Sequence, residues 1–352
     1  MASVRGIFAN LAPIRVGGTA DYGSEFTRAL GWCQSATICT GYVAAESLVE
    51  LRQLVETFTN VKSFNLIVGM AKFDGLTRQQ IDALESIHTV LSNKKIGSVY
   101  IATAIPVHAK VSLFSDQSKQ KTILGSSNLG SLTRATRQYE VDVCIEEDDV
   151  LMDQIESFLQ LAILGSKPLQ ESRENIKVVP SGPHPLDNLN GVQKVPSSKI
   201  PKAVGYKFEI PVGVHAKSGL NVFFGKGRKS LDGRMLPRPW YEVELIVPKE
   251  VTSAPGYPNR EVHDGIFAVI TDDGFKFSCK TSGDYSKNFR SYGDLETLGR
   301  WIKGKLEQAG VLELGEIATE ETLVRYGRSS LSLAQTEVDG VWYLDFARPE
   351  NV

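Results

Sequence analysis

Two short stretches of the chain carry side chains that could act together on a phosphodiester. In Val107-His108-Ala109-Lys110 a histidine and a lysine stand two apart in a strand-like run, so both are expected on one face of a sheet. Gly125-Ser126-Ser127-Asn128 begins fifteen residues after Lys110, at the end of the next strand-like run, where a hairpin would bring it beside His108. An imidazole, an ammonium, a hydroxyl and an amide would then converge. Imidazole can attack phosphorus or pass a proton to the leaving oxygen. Lys110 and Asn128 can neutralise charge building on the non-bridging oxygens while Ser126 lends a hydroxyl, and this chemistry requires no metal. Taken singly, His108 reads as a structural histidine and GSSN as an ordinary turn. Their order and hairpin spacing favour chemistry.

The elements that must position these residues are legible in the first half. ESLVELRQLVETF repeats apolar residues every three or four positions (Leu48, Leu51, Val55, Phe58), and SFNLIVGM follows as a strand. TRQQIDALESIHTVLSN opens with Thr77 and Gln80 in capping-box spacing and places Ile81, Leu84, Ile87, Val90 and Leu91 on one face. SVYIATAIPV reads as a second buried strand, and AKVSLF, KTILGSS and EVDVCIEE as three short strands before a closing helix in DDVLMDQIESFLQLAIL. The order predicts an α/β domain over 1–165, a mixed sheet flanked by helices. Residues 166–205 turn to proline and small polar types, a linker or a segment draped over a neighbour. Residues 206–352 are mostly strand-like (YKFEIPV, WYEVELIV, GIFAVITDD, FKFSCK, GVWYLDF) with one helix in DLETLGRWIKGKLEQAG, which predicts a compact β-rich barrel.

Composition sets outer limits. At 352 residues and 42% hydrophobic content the chain can bury ample apolar surface in two domains. The four cysteines, Cys33, Cys39, Cys144 and Cys279, form no CxxC pair, so structural thiols in a reducing cytoplasm are expected rather than a metal cluster or disulfide framework. No export segment is expected from the N-terminal residues, and no apolar run reaches the roughly 18 residues of a membrane span. A net charge of -2 leaves any basic surface local. One such surface lies between Val214 and Trp240, where Lys217, Lys226, Arg228, Lys229, Arg234 and Arg238 face the single acid Asp232, with Asn221 among them. A second is the loop-like CKTSGDYSKNFRSYGD, with Lys280, Ser282, Asp284, Tyr285, Lys287, Asn288 and Arg290. Lysines and arginines there would contact phosphates, and arginine, asparagine and aspartate can read base edges. On charge alone the two loops could equally be solvated surface. His88, His184 and His263 read as structural or solvent-exposed.

His108-x-Lys110 followed by Gly125-Ser126-x-Asn128 resembles the signature of the phospholipase D superfamily, and Glu140 resembles the acidic residue that in its nucleases pairs with an active-site histidine. One position departs: the aspartate five residues after the lysine is Ser115 here, with Asp116 one place later. That aspartate is not the nucleophile, and Asp116 is left outside the expected catalytic set of His108, Lys110, Ser126, Asn128 and Glu140. The resemblance implies that two such motifs meet across a two-fold axis. One histidine attacks phosphorus to give a phosphohistidine, the other protonates the leaving oxygen, and water releases the product. A second VHAK, with His215 and Lys217, is followed by no G-S-x-N, and Thr281-Ser282-Gly283-Asp284 has the wrong order. This copy is therefore a coincidence, and a homodimer is expected to build the site.

The whole-chain arrangement resembles the metal-independent type II restriction endonucleases of this superfamily, whose C-terminal domain is similar to the pseudobarrel of plant B-three transcription factors. By that likeness Lys217 to Arg238 is the first DNA-binding arm and Lys280 to Arg290 the second. The implied activity is sequence-specific cleavage of double-stranded DNA without a metal cofactor. A cognate DNA methyltransferase is the implied companion, and since no P-loop is present, any ATP requirement would belong to a separate helicase subunit. Two alternatives stand beside this: a non-catalytic DNA-binding regulator, which would keep the arms and leave His108 idle, and a phospholipase-type phosphodiesterase, which should carry a membrane-facing segment.

Overall fold

Apolar runs of the first half become strands and its periodic runs become helices. The computed structural model describes residues 3–11, 13–133, 138–180, 182, 184–187, 189–229, 233–261 and 263–349. The chain divides into two units, Met1–Gly182 and Pro183–Val352. The first runs β1 (Ser3–Phe8), α1 (Tyr22–Leu30), β2 (Ser35–Thr40), α2 (Ala45–Thr57), β3 (Ser63–Val68), α3 (Ala71–Asp74), α4 (Arg78–Lys94), β4 (Gly97–Ala102), β5 (Val111–Ser115), β6 (Gln120–Gly125), β7 (Val141–Glu146), α5 (Asp149–Leu164), β8 (Ser166–Pro168) and α6 (Leu169–Ser172). One mixed sheet has the order β1-β7-β6-β5-β2-β3-β4-β8, in which β2, β3 and β4 are parallel and β5, β6 and β7 antiparallel.

Local chemistry fixes these elements. At the start of α4 both bonds of the capping box form: Gln80 N donates to Thr77 Oγ1 at 3.2 Å and Thr77 N to Gln80 Oε1 at 2.8 Å. α5 buries Met152, Ile155, Leu159 and Ala162 against Cys39, Ile67, Leu113 and Ile145 on one face of the sheet. Each large side chain buried there contributes about 1.5–3 kcal/mol. Strand alternation sends Ile38 and Leu66, equally buried, to the opposite face. All four cysteines are buried and unpaired, and burial pushes the Cys33 and Cys39 thiols up to about 12.

The expected strand SVYIATAIPV stops early, at Ala102. Pro106 cannot donate to a ladder, and residues 103–110 instead cross the C-terminal ends of β2 and β3. Val107 N donates to Gly69 O at 3.3 Å, and Gly69 N to Thr40 O at 2.8 Å. A Cβ on Gly69 would lie 1.7 Å from the Val107 carbonyl oxygen, so only glycine lets this loop approach.

The second unit runs β9 (Gln193–Lys194), β10 (Ala203–Pro211), β11 (Arg228–Lys229), β12 (Met235–Leu236), β13 (Leu245–Ile246), α7 (Lys249–Thr252), β14 (Ile266–Thr271), β15 (Phe275–Ser282), β16 (Asn288–Ser291), α8 (Thr297–Gln308), α9 (Glu320–Tyr326), β17 (Ser330–Thr336) and β18 (Val341–Asp345). Its sheet has the order β10-β17-β18-β14-β15-β16-β13, and the edge strands β10 and β13 curl back towards each other. This curled half-barrel sheet fits the β-rich pseudobarrel expected from sequence. α8 buries Leu298, Trp301, Ile302 and Leu306. WYEVELIV yields only the short β13: Trp240, Tyr241, Glu242 and Val243 are buried in succession, without the alternation of a strand.

The proline-rich stretch 166–205 contributes residues to each unit. On one side of the division β8 pairs with β4, and Leu169 and Ile176 are buried. On the other, Leu186 is buried, His184 stacks on Phe275 and β9 pairs with β15. Prolines interrupt regular structure there, but the apolar residues between them still find cores.

Replacing Gly69 by alanine should displace the loop that carries His108. Urea unfolding is expected to show a loss of about 1–3 kcal/mol, the usual range for overpacking; an unchanged midpoint would show that the loop does not depend on this contact.

Candidate active site

β5 begins only at Val111, so His108 and Lys110 lie on the loop before it and do not share a strand face. They meet because Lys110 folds back: its Nζ lies 3.0 and 3.1 Å from the two ring nitrogens of His108 and donates to the His108 carbonyl oxygen at 2.9 Å. The expected hairpin is present. Val111 pairs with Leu124, and Gly125 N donates to Lys110 O at 3.3 Å, which sets the GSSN stretch beside the histidine loop. His108 is exposed and Lys110 half-buried; burial lowers the lysine ammonium from its ordinary value, with the Glu140 carboxylate opposing. Asp116 lies at the far end of β5, where its carboxylate accepts from Ser118 N and Lys119 N and shapes the hairpin turn.

Asn128 is clamped from β2. Its Oδ1 accepts from Tyr42 N at 3.0 Å, and Leu129 N donates to Thr40 Oγ1 at 3.1 Å. Among the described residues its Nδ2 takes no partner, which leaves two N–H groups to offer an anion. The rest of the stretch hangs on Asp142, opposite Gly125 in the β6–β7 register. The buried Asp142 carboxylate accepts from Ser127 N at 3.0 Å and Ser127 Oγ at 2.5 Å. Burial raises this carboxyl, and the Ser127 bonds oppose the rise. A Cβ on Gly125 would stand 2.5 Å from Asp142 Oδ1.

Glu140 takes a different place from the one expected. Its carboxylate accepts the hydroxyl of Ser126, which in turn accepts from Val141 N at 3.0 Å. Among the described residues no hydrogen bond joins Glu140 to His108. Within one chain Glu140 braces Ser126 and does not orient the imidazole.

Sequence reasoning missed Thr40, Gly41, Tyr42 and Asp142. Gly41 follows β2 directly, and a Cβ there would meet His108 Cδ2 at 2.8 Å and Asn128 Oδ1 at 3.4 Å. The available signal was a glycine just past each of two apolar runs, Gly41 and Gly69, at the carboxyl ends of parallel strands where ligands bind in α/β sheets.

In the second unit the basic stretches separate into exposed and structural members. Lys217, Lys226, Arg228 and Lys229 are exposed and Arg234 is half-buried. Arg228 and Arg238 both reach the buried carboxylate of Glu242 and so tie down the β11–β12 hairpin. Asp232 lies outside the described residues. Asn221 is not available to DNA: it is 1% exposed. Its Nδ2 donates to the carbonyls of Val214, His215 and Ala318, and its Oδ1 accepts from Ala318 N. The second arm is a strand ribbon. Lys280 pairs with Arg290 and Ser282 with Asn288, so these four side chains share one face of β15 and β16. At its tip Gly283, Tyr285 and Ser286 all have positive φ, and Tyr285 stands 69% exposed between Asp284 and Lys287. His215 sits in an exposed turn. His88 is buried, accepting from Val99 N at 3.3 Å, and is structural.

Two family models match the chain in tandem. The NgoFVII restriction endonuclease N-terminal PLD domain matches residues 26–173, and the NgoFVII C-terminal B3-like DNA-binding domain matches residues 199–337. The first span holds His108 to Glu140, the second both basic stretches. Among solved structures, Nuc of Salmonella typhimurium, a phospholipase D family member, is 16% identical over 48% of this chain and 98% of its own, with a TM-score of 0.34. NucT of Helicobacter pylori is 12% identical over 48% of this chain and 99% of its own, with a TM-score of 0.33. Phosphatidylserine synthase of Haemophilus influenzae is 15% identical over 50% of this chain and 42% of its own, with a TM-score of 0.34. No curated protein sequence matches the chain.

The placements of Asn221 and Lys226 separate by experiment. Asn221→Ala strands buried backbone groups and should cost about 1–3 kcal/mol in thermal or urea unfolding. Lys226→Ala should leave unfolding unchanged, weaken DNA binding and reduce the slope of log affinity against log salt by about 1. The reverse pattern would overturn the assignment of both.

Proposed function

The chain belongs to the NgoFVII family of type II restriction endonucleases in the phospholipase D superfamily, and from that premise we propose that it cuts DNA as a homodimer, without a metal ion, through a phosphohistidine on His108. The observation that carries this reading is the exposed His108 imidazole flanked by a lysine ammonium and by an asparagine amide whose N–H groups take no partner among the described residues. In the first step an imidazole nitrogen of one copy attacks phosphorus, the bond from phosphorus to the leaving oxygen breaks, and that oxygen takes a proton from the His108 imidazolium of the second copy. Lys110 and Asn128 of both copies hold the non-bridging oxygens as negative charge builds. In the second step water attacks phosphorus, the neutral imidazole of the second copy accepts its proton, and the phosphorus–nitrogen bond breaks. Each imidazole thus returns to its starting state.

Two histidines are needed because one group cannot attack and protonate on opposite sides of the same phosphorus. The second VHAK supports the dimer by elimination: His215 and Lys217 lie in an exposed turn of the other unit and are followed by no G-S-x-N sequence. Target choice falls to the second unit. Lys280 and Arg290, with Ser282 and Asn288 on the same ribbon face, have the chemistry to hold phosphates and read base edges. Lys226 and Lys229 add phosphate contacts from the first arm. A cognate methyltransferase would protect the host's own copies of the target, and a helicase subunit would supply any ATP dependence. A cytoplasmic setting suits such an enzyme.

The test is cleavage of mixed-sequence duplex DNA in excess chelator, with and without lysate from the source strain. Wild type should give discrete fragments and His108→Ala none, a loss of more than about 10³-fold, while specific binding persists. Scission that needs added metal, or that survives His108→Ala, would contradict the proposal.

A further inference from the structure

We infer that Tyr42 is the positioning residue that aims the His108 imidazole, held to that task by a tether from its hydroxyl to Asp74. The inference rests on the phosphohistidine reading and adds a part that reading lacks. An exposed imidazole on a loop turns about two side-chain bonds, yet a nucleophile must present one nitrogen to phosphorus along a narrow path. The carboxylate expected to restrain it, Glu140, is bonded to Ser126. Lys110 touches the ring, but its ammonium is the group that a bound phosphate would draw away. What remains beside the imidazole is the ring of Tyr42, at 5.4 Å between centroids and 76° between planes, an edge-to-face arrangement.

Tyr42 is well fixed although 43% exposed. Its N–H donates to Asn128 Oδ1 at 3.0 Å, its carbonyl accepts from Thr40 Oγ1 at 2.8 Å, and its hydroxyl donates to Asp74 Oδ2 at 2.7 Å. Asp74 is itself held. It closes α3 with its N–H on Met70 O at 3.0 Å, and Met70 N donates to Gly41 O at 3.0 Å. One residue therefore joins both halves of the site: its backbone sets the amide that receives the phosphate oxygen, and its ring sets the imidazole that attacks. A Cβ on the preceding Gly41 would meet His108 Cδ2 at 2.8 Å, so the backbone there runs close against the imidazole. Tyr42 touches the histidine rather than the reacting atoms.

The full-length protein gives two independent readouts. Histidine ring-proton NMR spectra are simple because the chain has five histidines, and His108→Ala assigns the resonance. Tyr42→Ala should move the His108 ring protons away from their wild-type positions and leave the other four histidines alone, while Tyr42→Phe keeps most of the ring contact. In single-turnover cleavage Tyr42→Ala should lower the rate constant about tenfold to a hundredfold at unchanged DNA affinity. Tyr42→Phe and Asp74→Ala should each lower it severalfold, and the double variant no further than either, since both cut the same tether. A His108 resonance indifferent to Tyr42→Ala, a loss confined to DNA affinity, or full additivity of the two tether variants would each overturn the inference. Failure of wild type to cleave by way of His108 would sink the phosphohistidine reading instead, and the ring-proton measurement would still decide whether Tyr42 orients the imidazole.

Discussion

The close backbone approach between residues 103–110 and the ends of β2 and β3 is the constraint on which the active half depends. A nucleophilic imidazole has to be exposed to reach phosphorus, and exposure normally brings mobility. Here exposure and order are reconciled by contact between main chains. Gly69 admits the Val107 carbonyl, and Gly41 admits the His108 ring beside Asn128, each at distances that a methyl group would forbid. The sheet supplies the support: β2 and β3 are parallel neighbours inside it, buried on both faces at their carboxyl ends. The hairpin of β5 and β6 then returns the chain to the same place and delivers Asn128.

In each unit a buried carboxylate holds a loop in place. Asp142 is buried and accepts from Ser127; Glu242 is buried and meets both Arg228 and Arg238 through its Oε1. A carboxylate removed from water without partners would be costly, and two guanidiniums or a pair of serine donors compensate it. The GSSN stretch and the β11–β12 hairpin gain fixed shapes this way. Arg238 accordingly serves the protein, whereas Lys226 and Lys229 stand exposed. The tip at Tyr285 and Ser286 keeps a left-handed backbone that non-glycine residues rarely adopt.

Much of this was legible in the sequence, and the gaps have physical causes. The capping box at Thr77, the α5 stripe and the hairpin that sets Gly125 by Lys110 all follow local rules, and all are present. β16, β17 and α9 escaped notice because NFRS, SLSLAQT and EETLVRY are short or carry polar residues where burial is imposed by the rest of the barrel. The strand run through His108 was over-read: β4 ends at Ala102 and β5 begins only at Val111, and Pro106 between them has no N–H to give a ladder. Asn221 looked like a reader of bases because it lies among lysines and glycines; its burial arises from the distant Ala318, a contact no local pattern announces. Tyr42 was invisible for the same reason, being far in sequence from both His108 and Asn128.

The central claim is that His108 itself becomes bonded to phosphorus. The direct measurement is rapid denaturing quench of the enzyme with labelled DNA in excess chelator, followed by digestion and mass spectrometry of the DNA-linked peptide. The account predicts an acid-labile, base-stable adduct on the peptide containing His108, formed and consumed at the rate of cleavage. Cleavage without such an adduct on the cleavage timescale, or an adduct on another residue, would contradict it.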